Sequence, residues 1–469
     1  MRHLLSLCTF LSSLWLMACQ PNAIAPFNAQ NISLPASYDA LENARPTRQF
    51  YISAEHACAD VSLNDGSSPV CHNGHGPFPD MQAVKAAARN GDLTLTPGSA
   101  VIFRDGTYAI DKLFISKSGT EQKPISILAY PGESPVFDGG YRPGDGNNQR
   151  LDKDITLGLR GKYLVMSGFT IQGCKEVCVQ LGGQHILFKN NTIIGGGEDG
   201  IKVPPGSDSV YIVNNRFEWP KDLNMPSRPN TPEALDFMGA KNSYAINNLF
   251  TNSDVRWGGW GSVMWAKGGA RNVHMLGNRF ENLVVKNNAI ILGGCCFNNW
   301  NWLAGNGLAK PVAREVSAIG NVFKNISLTS DYSYRGTIAI EGCHDCVVQD
   351  NSLDNIDDAF ALYRTGASGL DVNVANAETV RLPQRISIND NKINGVKGNL
   401  YNVQIALELE SDFNQFCAEN PEVLVTRGFL DLESSTIYQK FSLGYDEWQA
   451  MGYDLESEMN GIGCAMDGE

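Results

Sequence analysis

The chain has 469 residues, with 37 Lys and Arg against 50 Asp and Glu, for a formal net charge of −13. Apolar residues make up 43%, which excludes a mostly disordered chain. Charged residues are only 19%, while Gly (47) and Asn (42) are abundant, a balance that favours turns and short strands over long helices. The acidic excess argues against nucleic acid as a partner, because phosphate binding needs a basic face.

Residues 1–19 read Met-Arg-His, an apolar run from Leu4 to Met17, then Ala18-Cys19. A basic start, a short apolar core and a small residue before the cut predict an export signal, too short to span a membrane. Leu16-Met17-Ala18-Cys19 resembles a bacterial lipobox, which implies that Cys19 carries lipid; Gln20 after it implies the outer membrane or cell surface. Ten further cysteines in an oxidising compartment read as disulfides. Cys58–Cys71 and Cys417–Cys464 are the natural local pairs, one near each end of the body. The pairing of Cys174, Cys178, Cys295, Cys296, Cys343 and Cys346 stays open. Cys343-His344-Asp345-Cys346 offers half a zinc site, but a second ligand pair at metal spacing is missing.

A repeat runs through the middle of the chain. Seven segments share alternating apolar residues, an Asn, then an apolar stop: HILFKNNTI (Asn191), VYIVNNRF (Asn215), SYAINNLF (Asn248), VHMLGNRF (Asn278), VSAIGNVF (Asn321), CVVQDNSL (Asn351) and ISINDNKI (Asn391). Their intervals are 24, 33, 30, 43, 30 and 40 residues. YLVMSGFTI extends the series one step earlier, with Gly168 in the Asn slot. Short strands of period two that cannot bury a face alone must stack, and an Asn at one turn of each coil can hydrogen-bond the coils beside it. The predicted fold is all-β, a right-handed parallel β-helix. Its layout is a signal over 1–18, a linker over 19–49, the β-helix over 50–400 and a capping extension over 401–469.

The blocks YISAEHACADVSLNDGSSPV, GPFPDMQAV, PGSAVIFRDGTYAI and GTEQKPISILAYPGESPVFDGG resemble the entry region of the pectate-lyase-like β-helix superfamily. That resemblance, over about residues 50–400, implies that helix 80–90 caps the first coil. From Glu233 to Asn282 the chain is similar to the alginate-lyase and chondroitinase B family. There an acidic strand ending in a catalytic Lys precedes a strand carrying a catalytic Arg. Glu233 and Asp236 match the family's Ca²⁺-binding acids, Met238 stands at the Lys position and Lys267 at the Arg position. A diverged lyase and a non-catalytic relative both fit that departure.

Strands ending at Gly-rich turns place Gln180, Lys202, Met238, Lys267, Leu292 and Glu341 in one outward slot, with Asp236, Trp265 and Ala339 two residues earlier. Ile201, Val203, Phe237, Ala266 and Ile340 then face inward. Such a strip suits an acidic polysaccharide. β-Elimination at a uronate needs its carboxylate neutralised, a base and an acid. Ca²⁺ on Glu233 and Asp236, or an Arg, serves the first. Lys267 is the expected base, its pKa lowered by burial and nearby cations. Arg271, Arg335 or a Tyr serves as acid. Lys202, Trp265, Glu341, Tyr334 and Arg364 are the expected substrate contacts, with Tyr332 on a nearby loop. Trp257, Trp260, Trp300 and Trp302 could stack on sugars. The insertion from Ala289 to Ala313, with Cys295 and Cys296, is expected to wall one end of the groove. Asp357-Asp358 offers a hydrolase carboxylate pair instead.

The segment FSLGYDEWQAMGYDLESE resembles one that follows the helix in secreted members of the superfamily, which implies packing on the last coils. Residues 401–469 carry a net charge of −12 and residues 1–400 only −1, so the acidity belongs to the tail. Three functions fit the sequence: a lyase acting on an acidic polysaccharide, a non-catalytic glycan-binding surface lipoprotein, and a glycoside hydrolase. A monomer is expected, touching the membrane only through its lipid.

Overall fold

The computed structural model describes residues 34–141, 155–221, 232–257, 259–294, 311–330, 335–364, 382–403, 407–418, 425–431, 436–450 and 452–460. The expected signal segment, Cys19 and Cys464 lie outside the described residues. Three twelve-stranded sheets run the length of the molecule, and successive coils contribute one strand to each. Pairing between coils is parallel; one antiparallel pair, Val425–Asp431 with Thr436–Leu443, ends one sheet. This is the all-β parallel solenoid that the repeat predicts.

One short coil shows why these residues stack. It runs through Gln184–Lys189, Thr192–Ile194 and Asp199–Val203. Ile186, Phe188, Ile193, Ile201 and Val203 alternate with residues of the outer face, point inward and are fully buried. The apolar stop after the Asn forms a ring stack: Phe217, Phe250, Phe280 and Phe323 lie 4.6, 5.0 and 4.5 Å apart between centroids.

The repeated Asn is a buried ladder. Asn248 accepts from the Asn215 backbone N–H (2.9 Å) and side-chain amide (3.0 Å) with Oδ1. It donates from Nδ2 to the Ile212 carbonyl (2.8 Å) and to Asn278 Oδ1 (2.9 Å). The same pattern links Asn191, Asn215, Asn248, Asn278, Asn321, Asn351 and Asn391. Two details differ from expectation. The left-handed backbone falls on the preceding residue (φ 55° at Asn190, 54° at Asp350), so Gly168 (φ 95°) fills that slot and Phe169 takes the Asn place. The ladder also continues to Asn414, whose amide reaches Asp454 Oδ1 at 2.9 Å.

Both ends are covered. Helix α1 (Ala36–Glu42) lies within the stretch expected to be a linker and packs Leu41 on the outer face of one sheet beside Leu187 and Tyr211. Ser37 Oγ meets the Tyr211 hydroxyl at 2.8 Å, and Glu42 pairs with Lys189 at 2.7 Å. Helix α2 (Met81–Asn90) caps the first coil as the resemblance implies; Asp80 caps its N-terminus and Gly91 (φ 87°) ends it. Helix α3 (Tyr445–Ala450) buries Trp448 against Tyr401, and the indole donates to Asp454 Oδ2 (2.7 Å). Among the described residues no helix is long and apolar enough to cross a membrane. Cys58–Cys71 is a disulfide as expected, and Cys174–Cys178 and Cys343–Cys346 are two more. The last closes the CHDC segment as a disulfide rather than half a zinc site. Cys417 is also disulfide-bonded.

Two outcomes follow for stability. Asn248→Ala strands the buried Asn215 N–H and the Ile212 carbonyl, so urea unfolding should show a loss of about 3 kcal/mol. His274 is satisfied as a neutral ring, Nε2 against Asn272 Oδ1 and Nδ1 against Ser317 Oγ, each at 2.7 Å. Burial lowers its pKa below the usual 6.5. The unfolded chain therefore binds this proton first. The ring's contribution is full above pH 6.5 and falls as the pH drops from there toward the folded-state pKa. His274→Gln should flatten that slope in urea unfolding followed across pH.

Candidate functional site

The outer side of one sheet carries the candidate site. Its strands are Asp199–Val203, Glu233–Met238, Ser262–Lys267, Asn288–Gly293, Ile338–Glu341 and Phe360–Tyr363. Asp199 aligns with Glu233, Lys202 with Asp236 and then Trp265, and Met238 with Lys267. Glu341 stands between Gly293 and Tyr363. The expected slot therefore splits into two columns. Lys202 does not stack on Met238, because Pro204 and Pro205 intervene before its Gly turn. Leu292 points into the core, because Gly293 is the last residue of its strand. The inward set and the outward Asp236–Trp265 pair lie where alternation puts them.

Five side chains form one buried cluster. Lys202 Nζ lies 2.7 Å from Asp199 Oδ2 and 3.0 Å from Asp236 Oδ2. Lys267 Nζ lies 3.3 Å from Glu233 Oε1 and 3.5 Å from Asp236 Oδ1. It also sits 3.9 Å over the Trp265 ring, whose indole N–H donates to the Gly293 carbonyl. Asp199 and Asp236 are fully buried, and Lys267 is 7% exposed. One oxygen of each of the three acids falls within 4.8 Å of the others, an arrangement that can hold a divalent cation. Asp199 Oδ1 and both Asp236 oxygens make no aligned hydrogen bond, although the lysines lie within ion-pair distance of Asp236. Buried carboxylate oxygens left so are suited to a cation, the hard partner for which such donors are selected.

Charge decides the protonation of the cluster. Burial, then Asp199 and Asp236, hold the Glu233 carboxyl well above its ordinary range against the pull of Lys267. Burial opposes the charge on Lys267, but Asp236, Glu233 and Asp199 outweigh both burial and Lys202, and its pKa rises. Lys202 behaves alike: burial lowers its pKa, and Asp236 and Asp199 more than restore it. The expected lowering of the Lys267 pKa is thus reversed, because three carboxylates face it and one cation.

The other sequence-named residues are dispersed. Arg271 lies past the Gly268–Gly269 turn, on the adjoining sheet between Lys241 and Arg314. Arg335 is tied to Asp358 (2.6 Å) and to the Ser330 carbonyl (2.7 Å). Asp358 also accepts from the Asn399 N–H, and Asp357 from the Leu328 N–H, so this pair supports the chain rather than flanking a sugar. Trp260 is wholly buried beside Phe217, Phe250 and Trp219, a core residue rather than a sugar platform. Arg364 follows the Phe360–Tyr363 strand, half-buried. Tyr332, Tyr334, Cys295, Cys296, Trp300, Trp302 and the Trp257 side chain lie outside the described residues. Asp199 escaped the sequence reading, although Asp199-x-x-Lys202 repeats the spacing of Glu233-x-x-Asp236 one coil earlier. Tyr363, its phenol pushed up by burial and by the Glu341 carboxylate it bonds, also escaped notice.

The solenoid with this cluster on its flank is a parallel β-helix, and part of it is similar to a family of right-handed β-helices. The family description "Pel9A-like, right handed beta helix region" matches residues 81–219, which include Asp199 and Lys202. Pectate lyase Pel9A is 16% identical, with 81% of this chain and 79% of that one covered and a TM-score of 0.45. An alginate lyase from Paenibacillus sp. is 16% identical, with 73% and 95% covered and a TM-score of 0.45. PfbA, a surface adhesin of Streptococcus pneumoniae, is 13% identical, with 82% and 91% covered and a TM-score of 0.41. No curated protein matches the sequence.

Asp236 is shared by both ammonium groups, so Asp236→Ala leaves two buried cations short of a partner. In chelator-treated protein it should cost about 4 kcal/mol, read by denaturant unfolding.

Proposed function

We propose that the protein is a polysaccharide lyase that cleaves a uronate-containing polymer by β-elimination, with Lys267 at the reacting centre. The carrying observation is the lysine itself: nearly buried, held over Trp265, and set beside three acids on the outer side of one sheet. Asp199, Glu233 and Asp236 would hold a divalent cation, Ca²⁺ by the donor chemistry. When bound, it supplies positive charge that draws the uronate carboxylate and acidifies the proton beside it.

Lys267 moves the protons. Its neutral amine accepts the α-proton at Nζ as the C–O bond to the leaving sugar breaks and a carbon–carbon double bond forms. Its ammonium form then returns a proton to the leaving oxygen. Glu233 and Asp236 favour the ammonium, so the base form is the one that must be generated. Trp265 fixes the Nζ position and shields one side from water. Glu341 and Tyr363 stand two and three coils further along the column, about 10 and 14 Å away at the usual strand spacing. They would meet a neighbouring sugar rather than the bond being broken.

In this reading the leader directs export and is cut away, and a lipid on Cys19 holds a monomer at the outer membrane or cell surface of a bacterium. The disulfides among the described residues support an oxidising compartment.

The test is incubation of the mature protein with alginate, pectate and glycosaminoglycans, with and without Ca²⁺. Unsaturated uronate ends are expected, and Lys267→Met should lower kcat about 1000-fold with the fold intact. Reducing ends without unsaturation would mean a hydrolase, and binding with no product a glycan-binding surface protein.

A further inference from the structure

The two lysines of the cluster are not equivalent. Lys267 is 8% exposed in its side chain, pinned over Trp265 and engaged with Glu233 and Asp236. Lys202 is 23% exposed, and its ammonium bridges Asp199 and Asp236 with nothing comparable stacked on it among the described contacts. Its bridge joins two of the three acids whose oxygens converge within 4.8 Å. Those acids keep unaligned buried oxygens, Asp199 Oδ1 and both of Asp236, that one ammonium does not satisfy. An ammonium has three directional protons, whereas Ca²⁺ gathers six to eight oxygens at about 2.3–2.6 Å.

We infer that Lys202 is a tethered counter-ion standing in the cation's place, so that a divalent cation and the Lys202 ammonium compete for Asp199 and Asp236. The inference rests on the cation-binding reading of the acid triad and adds the residue that regulates it. Charge favours the exchange. With all three acids ionised, three carboxylates against two ammonium groups leave a formal excess of one negative charge. Moving Lys202 out and a divalent ion in brings the pocket to balance. Lys202 has a flexible four-carbon stem and an exposed edge by which to leave. Once displaced, its ammonium is free for the substrate's carboxylates, so cation occupancy and substrate binding rise together. This gives Lys202 the substrate contact expected from sequence, but only in the cation-loaded protein.

The test uses the full mature protein, with Ca²⁺ and Tb³⁺ as probes and Trp265 as the sensitiser of terbium luminescence. Lys202→Met should bind either ion about tenfold more tightly than wild type. Its thermal midpoint should climb with Ca²⁺ more than that of wild type, and Lys202→Arg should behave as wild type. A second measurement needs no variant: amine acetylation read by mass spectrometry should show Lys202 of the wild-type protein becoming severalfold more reactive when Ca²⁺ is added. Equal affinities in wild type and Lys202→Met, or unchanged Lys202 reactivity while the ion binds, overturn the exchange and leave the cation site standing. If neither protein binds either ion, the cation reading of the triad falls and the exchange falls with it.

Discussion

One buried amide per coil holds this molecule in register. Each ladder Asn takes a backbone N–H from the coil before and gives its own amide to the coils on either side, all away from water. Slipping a strand by one residue would turn its inward set outward, so the ladder and the period-two pattern enforce the same alignment. The rungs tolerate long excursions. Asn278 meets Asn321 across 43 residues with the geometry that joins Asn191 to Asn215 across 24. Insertions can therefore emerge at the loops while the strands that carry Asp199, Glu233, Asp236 and Lys267 keep their neighbours. The chemistry of the flank depends on that alignment, because these residues come from three strands whose first residues, Asp199, Glu233 and Ser262, lie 34 and 29 positions apart in the chain.

The cluster is expensive to build. Burying five ionisable groups removes each from water, and their attraction offsets that loss only where geometry is close. Asp236 meets two lysines and aligns a hydrogen bond with neither. An arrangement selected for stability alone would replace such groups with apolar side chains, as the neighbouring Ile291, Ala339 and Ala361 already do on the same outer face. Retaining charges at that point is what a working site requires.

The fold was legible because its signals repeat. Seven Asn-centred segments and the Cys58–Cys71 pair each follow from local pattern, the cap helix at 80–90 follows from the resemblance of its flanking blocks, and the inward residues follow from alternation. The site was legible only in part. Glu233, Asp236, Lys267 and Trp265 meet, but Lys202 was aligned by its Gly turn, and two prolines shift that turn relative to the strand. Asp199 was overlooked for want of a long-range partner, since only the register places it against Glu233. Trp260 shows the opposite failure: an aromatic in a Gly-rich loop reads as exposed until the rings that enclose it are known. Asn414 hid behind Phe413, whose left-handed backbone (φ 53°) occupies a position where Asn, Gly or Asp stands in other coils.

The location of charge also changes once partners are counted. By region the β-helix portion is nearly neutral and the tail holds the acid, which leaves room for a positive groove. Yet Lys202 and Lys267 are paired inward with carboxylates, and Arg335 with Asp358, so these cations project little field into solvent. A polyanion approaching the cluster meets formal charges that sum to zero with Glu233 protonated and to less than zero with it ionised, and in neither case to an attraction. Attraction must then come from a charge that arrives or a lysine that is released, and an exchange of Lys202 for a divalent ion would provide both in one step.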